Sequence, residues 1–428
     1  WNNDGILDCF INDRDGRLQY WEGLADWQFG DRPIFTMITK FFQNIEVGNW
    51  FNFNDFDDDG DDDLLCNTPG TDNVSYYTNV NGALELVNTE LYTPSGFSVY
   101  GGQIVIPTIA DINGDGIFDY FVGDVSGRLA YYVGEGISEE GPEFELVSDF
   151  FQNIQIVWTP GRHGANSIFF YDLDSDSDLD LVWGDFYQPG LFFLENYGDS
   201  NNPIFVDSLM VTDFPTEGLV ETAGFNVPRL INFEPNGNAD LIIGVLSGAY
   251  GTDYINNLAY YKNNGTSEQY DFQLVTMNLL PGLDLISGTV PVLEDIDGDN
   301  DNDLIIGTEF DADNTGWGGR LYYFENVTNN SSPEFVLVDS SFIDDFTTTN
   351  LAPSFYDTDN DGDLDAIIGE FNGYLLHYNQ TDSGWEYSGR YLDLDLNGKT
   401  VPAWGDIDQD NDDDLVIGTK DGMVSVYI

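Results

Sequence analysis

Nine residues, Asp357 to Asp365, read DTDNDGDLD. Carboxylates stand at the first, third, fifth and ninth positions, and Gly362 stands at the sixth. Short acidic side chains on alternate residues of a glycine-kinked loop can converge on one hard cation. Ca²⁺ takes about six to eight oxygens in this way, and the seventh position would add its backbone carbonyl. The apolar run Ala366-Ile367-Ile368 follows at once and ends in Gly369. A cation-sized loop therefore feeds straight into a strand.

The same phrase recurs along the chain. Full sets of four carboxylates are Asp55, Asp57, Asp59 and Asp63; Asp172, Asp174, Asp176 and Asp180; and Asp295, Asp297, Asp299 and Asp303. Two more are Asp357, Asp359, Asp361 and Asp365, and Asp406, Asp408, Asp410 and Asp414. A sixth loop offers Asp111, Asn113, Asp115 and Asp119, with the asparagine supplying a neutral oxygen. Two loops are weaker. Asn232, Glu234, Asn236 and Asp240 carry fewer charges and enclose Pro235, and the first repeat shows Asn2, Asp4 and Asp8.

Two other readings of these loops compete with a cation site. An EF-hand begins almost identically but needs a glutamate at position twelve and a helix after it. Here position twelve is Cys66, Val122, Trp183, Ile243, Ile306, Ile368 or Ile417, which belong inside strands. A plain Asp-rich turn is the second competitor, because Asp and Asn readily bond their own backbone. Repetition with constant spacing weighs against it, since four carboxylates crowded together repel one another without a cation.

Aligned on the fifth loop position, the repeats fall at residues 4, 59, 115, 176, 236, 299, 361 and 410. Separations of 49 to 63 residues mark a repeat architecture. Each repeat runs in the same order: an apolar approach, the acidic loop, a short apolar strand ending in Gly, and an aromatic strand such as GRLAYYVG or GYLLHYN. A fourth strand opens on phrases such as PEFELV. Four short strands per unit predict an all-β fold, a β-propeller of four-stranded blades. The first unit lacks its approach strand and the last lacks its fourth, which predicts thirty strands. Eight blades in one domain spanning 1–428 is the economical account, and seven blades with spare strands is the alternative. The phrase FFQNI occurs at both 41–45 and 150–154, a further sign of duplication.

The loop D-x-D/N-x-D-x-x-x-D, the following L/A-I/V-I-G strand and the aromatic G-x-L-x-Y-Y strand resemble the FG-GAP, or VCBS, repeat family, found also in integrin α-subunit propellers. The resemblance spans nearly the whole chain. It implies a propeller whose Ca²⁺ ions fasten the loop between the first and second strands of each blade. It also implies an extracellular or cell-surface protein concerned with adhesion or carbohydrate recognition. A few relatives, the rhamnogalacturonan lyases among them, are enzymes. Likeness of fold leaves function open.

The 428 residues carry 77 acidic against 12 basic side chains, a net charge of −65. Such a surface repels phosphate backbones and anionic membranes, so neither nucleic acid nor membrane insertion is expected. No apolar run reaches the length of a membrane-crossing helix. The chain opens at Trp1 inside a repeat, so a longer secreted parent is expected. Cys9 and Cys66 sit in strand-like apolar runs, where buried free thiols are the simple reading and a disulfide the alternative.

Binding is expected where the repeat is broken. Long turns at 244–258 and 307–320 bring Tyr250, Tyr254 and Trp317 into Gly-rich, acidic surroundings that suit sugar rings. Arg162 and His163, in TPGRHGANS, could contact a ligand. No nucleophile elbow, P-loop or zinc spacing appears, and no catalytic residue is assigned. His377, in an aromatic strand, is expected to pack. Three functions follow from these features. One is an extracellular propeller that binds glycan or a cell-surface protein. Another is a structural subunit of a surface assembly, self-assembling by strand addition at its incomplete terminal blades. The third is a polysaccharide-active lyase or hydrolase.

Overall fold

In a computed structural model the chain is all β. The structure describes every residue except 3, 14, 25–32, 103–104, 125, 156–165, 186–189, 216–225, 234–238, 246–257, 267–269, 281–284, 286–287, 300, 312–317, 329–334, 345, 382, 395, 397 and 409–412, and the side chain of Asn166. Thirty strands are described, in eight antiparallel sheets. Sheet one holds Cys9–Asn12, Leu18–Gly23 and Phe35–Thr39. Sheet two holds Phe51–Asn54, Asp63–Asn67, Val74–Val80 and Ala83–Asn88. Sheet three holds Thr108–Ala110, Asp119–Gly123, Leu129–Ser138 and Gly141–Ser148. Sheet four holds Asn166–Tyr171, Asp180–Asp185, Leu191–Leu194 and Val211–Phe214. Sheet five holds Asn226–Ile231, Asp240–Val245, Leu258–Asn263 and Phe272–Thr276. Sheet six holds Val290–Glu294, Asp303–Gly307, Leu321–Asn326 and Phe335–Asp339. Sheet seven holds Ala352–Tyr356, Asp365–Gly369, Leu375–Thr381 and Gly384–Arg390. Sheet eight holds Thr400–Gly405, Asp414–Thr419 and Val424–Tyr427. Every sheet is a simple meander, consistent with the blades of a propeller.

The second strand of each sheet shows why these runs are strands. In sheets two, three, four and seven it is buried along its whole length. A run such as DAIIG or DYFVG has apolar residues on both faces because another sheet covers each face. At about 1.5–3 kcal/mol per buried aliphatic or aromatic side chain, these central strands carry much of the burial energy. In sheet six the fourth strand is the opposite case: Phe335–Asp339 is exposed at every residue.

Glycine at the end of the second strand answers to this packing. A Cβ at Gly307 would overlap the Leu351 carbonyl oxygen, and one at Gly369 would overlap that of Thr400. Each glycine thus lets the next sheet's backbone come into direct contact.

The chain packs as two compact units. The first comprises Trp1–Gly251 with Asn256–Gly282 and contains sheets one to five. Its cores lie between consecutive sheets: Leu18, Phe42 and Leu64 between one and two, Trp50, Tyr76 and Tyr120 between two and three, Phe121, Phe170 and Trp183 between three and four, and Val182, Leu241 and Tyr261 between four and five. Sheet five in turn packs on sheet one, where Tyr260 and Leu279 meet Trp21 and Phe35. The repeated FFQN phrase forms single 3-10 turns at Phe42–Asn44 and Phe151–Asn153. Each glutamine clasps the next sheet. The Gln43 amide donates to the Gly82 carbonyl at 2.9 Å and accepts from the Leu84 N–H at 2.9 Å. Gln152 repeats this with Pro203 and Phe205, at 2.7 and 2.8 Å.

The second unit, Thr252–Ile255 with Leu283–Ile428, contains sheets six to eight. Ile305, Leu351 and Ile368 form the core between sheets six and seven, and Ile367, Leu375 and Ile417 the core between seven and eight. No described helix is long and apolar enough to cross a membrane.

Candidate metal centre

The acidic loops join first and second strands, and their shape follows from two left-handed positions. The fourth residue has φ of 59° at Asp58, 63° at Ser175 and 59° at Asn360, and the sixth has 95° at Gly60 and 101° at Gly362. Only glycine, or a short polar residue that bonds its own backbone, takes this region cheaply. The sixth-position glycine is plain in the sequence; the fourth-position constraint is not.

This double kink turns alternate side chains inward. In loop two the Asp59 N–H donates to Asp55 Oδ1 at 3.1 Å and to Asp57 Oδ1 at 3.2 Å, and the Gly60 N–H donates to Asp55 Oδ2 at 2.9 Å. Loop three repeats the pattern on Asp111 and Asn113, at 3.1, 2.9 and 2.9 Å, and loop seven on Asp357 and Asp359, at 3.2, 3.2 and 3.1 Å. Ligand oxygens of the first, third and fifth residues lie within 4.8 Å of one another in Asp55/Asp57/Asp59, Asp172/Asp174/Asp176, Asp295/Asp297/Asp299 and Asp357/Asp359/Asp361. In the last loop the close group is Asp406, Asp408 and Asp414.

Three carboxylates at that spacing are unstable company without a cation. The third-position residues Asp57, Asp174 and Asp359 are all raised from the ordinary aspartate value, by burial first and then by their acidic neighbours. Asp172 Oδ1, Asp414 Oδ1 and both oxygens of Asp301 are buried with no hydrogen-bond partner. Buried polar atoms normally have one. An all-oxygen, carboxylate-rich loop with unmet acceptors fits Ca²⁺ or another hard divalent ion. Such an ion would cancel the repulsion and tie the loop's halves together.

The ninth aspartate has a second task. Asp180 takes the Asn196 N–H on Oδ1 at 2.8 Å and the Leu173 N–H on Oδ2 at 3.1 Å. Asp303 takes Asn326 and Ile296 in the same way, at 2.9 and 3.3 Å, and adds the Tyr323 hydroxyl at 3.0 Å. Tyrosine hydroxyls from the aromatic strand, the second of sheet one and the third of sheets two and five, also reach Asp8, Asp63 and Asp240, at 2.9, 2.6 and 2.7 Å. This residue is a strut between the loop and the end of the third strand. Burial pushes Asp180 up to about 7 and Asp119 up to about 6 despite these bonds. In sheet seven His377 stands where sheets one, two, three, five and six have tyrosine and sheets four and eight have Phe193 and Val426, with Nε2 3.0 Å from Thr358 Oγ1 and its ring edge-on to Tyr391. It packs, as expected.

The weaker loops are partly visible. In loop one the Asp4 N–H donates to Asn2 Oδ1 at 3.1 Å. In loop five Asp240 keeps the strut, while Glu234 and Asn236 lie outside the described residues, as does Asp410 in loop eight. Tyr250, Tyr254, Trp317, Arg162 and His163 also lie outside them. Cys9 and Cys66 are free thiols, each pushed up to about 12 by burial.

The FG-GAP-like repeat profile matches residues 55–122 and 111–183. Both segments are FG-GAP-like repeats. They cover loops two to four with the strands that follow them. No curated protein matches the sequence. Among solved structures, the chain is similar to a lectin of Agrocybe aegerita described as recognising non-reducing terminal N-acetylglucosamine. That likeness has 16% identity over 92% of this chain and 90% of that one, with a TM-score of 0.31. It is also similar to Sqt1 of Saccharomyces cerevisiae, with 13% identity over 86% and 79% and a TM-score of 0.24. A third is a rhamnogalacturonan lyase of Bacillus licheniformis, with 10% identity over 98% and 91% and a TM-score of 0.21. Scores this low carry no argument about fold or function.

Proposed function

We propose that this chain, with its FG-GAP-like repeats, is built of calcium-stabilised propeller-type blades and works outside the cell as a binding module for a glycan or a cell-surface protein. The observation that carries the calcium part is the recurrence of the carboxylate triad in five loops, with buried oxygens left unmet in three loops. Calcium sites of extracellular modules bind at about 10⁻⁴–10⁻³ M, so such loops fill in extracellular fluid and stay empty in the cytosol. A net charge of −65 suits the same cation-rich surroundings. The binding part rests on the aromatic, glycine-rich breaks in the repeat read from the sequence. A glycan array probed with and without calcium tests it. The expected result is a defined set of glycans bound only with calcium present. Failure to bind any glycan or any cell surface in calcium would count against the binding role and leave the calcium role standing.

A further inference from the structure

The glycine after the second strand's apolar run (asparagine in sheets one and two) pairs with an apolar residue of the third strand. In six sheets that residue is Leu18, Val74, Leu129, Leu191, Leu321 or Leu375. Each is 0% exposed, in a core shared with the sheet that follows. In sheet eight it is Val424, which is 68% exposed, and Val401 and Val426 are open beside it. Gly418 tells the same story. A Cβ on Gly184, Gly307 or Gly369 would overlap the backbone of the next sheet, while one on Gly418 would meet nothing nearer than 3.9 Å. Sheet eight thus has a face built like the others and left uncovered.

The opposite kind of face, the one that a sheet turns to its predecessor, is open on sheet six. Leu293 is 54% exposed, whereas its counterparts Phe170, Leu230 and Phe355 are buried against the preceding sheet. Phe335 is 36% exposed, whereas its counterparts Phe35, Phe144 and Phe272 are buried. Faces of these two kinds already close on each other in the first unit, where Tyr260 of sheet five meets Phe35 of sheet one.

Charge suggests what covers sheet eight. Two of the chain's four lysines, Lys399 and Lys420, line a hollow of about 290 Å³ on this face with Val401, Met423 and Val424. An apolar face rimmed by lysines suits an acidic partner. Another copy of this chain, at −65, is acidic and also carries the matching face on sheet six.

We propose that two copies of the chain associate through their second units, sheet eight of each packing on sheet six of the other. Two sets of three sheets then close a two-fold ring of six, within the range of about four to eight blades that closes. The inference does not depend on the calcium or glycan readings.

Analytical ultracentrifugation of the whole chain tests it, at physiological ionic strength where repulsion between copies is screened beyond about 8 Å. The variants are Val424→Asp, Phe335→Asp and, as control, Phe97→Asp, whose ring is exposed in the first unit. All three residues are exposed in the single chain, so aspartate disturbs no core. The wild type and Phe97→Asp are expected to form dimers. Val424→Asp and Phe335→Asp each weaken dimerisation about a hundredfold or more, because a charge is buried without a partner. Mixing those two variants restores a dimer, since one of its two contacts is then wild type on both sides. A wild type that stays a single chain at every concentration overturns the proposal, whether the face is bare or covered by another part of the same chain. A dimer disrupted by Val424→Asp but not by Phe335→Asp also overturns it, because two copies of sheet eight would then face each other.

Discussion

Tyr76 donates its hydroxyl proton to Asp63 Oδ2 across 2.6 Å, while the Asn79 N–H closes on Asp63 Oδ1 at 2.7 Å. Asp63 is fully buried and Tyr76 is 2% exposed. The acidic loop is thus anchored to the third strand of its own sheet by protein groups alone. The cation set and the strut share Asp63, but the strut's donors, Tyr76 and Asn79, belong to the protein and need no cation.

Removing the hydroxyl tests the strut. Tyr76→Phe keeps the ring in the core and leaves Asp63 Oδ2 without its donor. The expected loss is about 1–3 kcal/mol, measured by urea unfolding, with or without calcium.

The first and ninth loop positions should respond differently to calcium. Asp365→Ala strips acceptors from the Thr358 and Gln380 N–H groups, so it should cost about 2–4 kcal/mol in EDTA, and more in calcium because a ligand is lost as well. Asp357→Ala removes a crowded surface charge, so it should be neutral or stabilising in EDTA and destabilising only in calcium. Melting the two variants in both buffers checks this. Equal behaviour would merge the two roles.

Acidification should stabilise the metal-free protein. Asp180 is raised to about 7 and Asp119 to about 6, in both cases by burial, against an unfolded value near 4. The native state therefore holds protons that the unfolded chain releases. The resulting stability is full below about pH 4 and lost as pH rises to about 7. In EDTA the melting temperature at pH 5 should exceed that at pH 7.5. Asp180→Asn should flatten the difference, and calcium, which competes with protons for the loops, should shrink it.

Sheet contact can be tested through one glycine. Gly369→Ala places a Cβ on the Thr400 carbonyl and should cost about 1–3 kcal/mol. Gly405→Ala has open space and should change stability little. Denaturant midpoints of the pair make the comparison.

Much of this was legible before the fold was seen, because the loop and its strand are local. DTDNDGDLDAIIG holds the ligand spacing, the kink and the burial pattern within thirteen consecutive residues. The strut was not legible, because Tyr76 meets Asp63 only through the register of the second and third strands. The packing of Trp21 and Phe35 on Tyr260 was hidden for a related reason: an apolar face does not specify its partner.

The central claim is that calcium holds these loops closed, and the melting temperature in millimolar calcium against EDTA tests it most directly. One site at a hundredfold excess over Kd adds about 2.7 kcal/mol, and several sites should raise the melting temperature by many degrees. Equal melting temperatures in the two buffers would contradict the account.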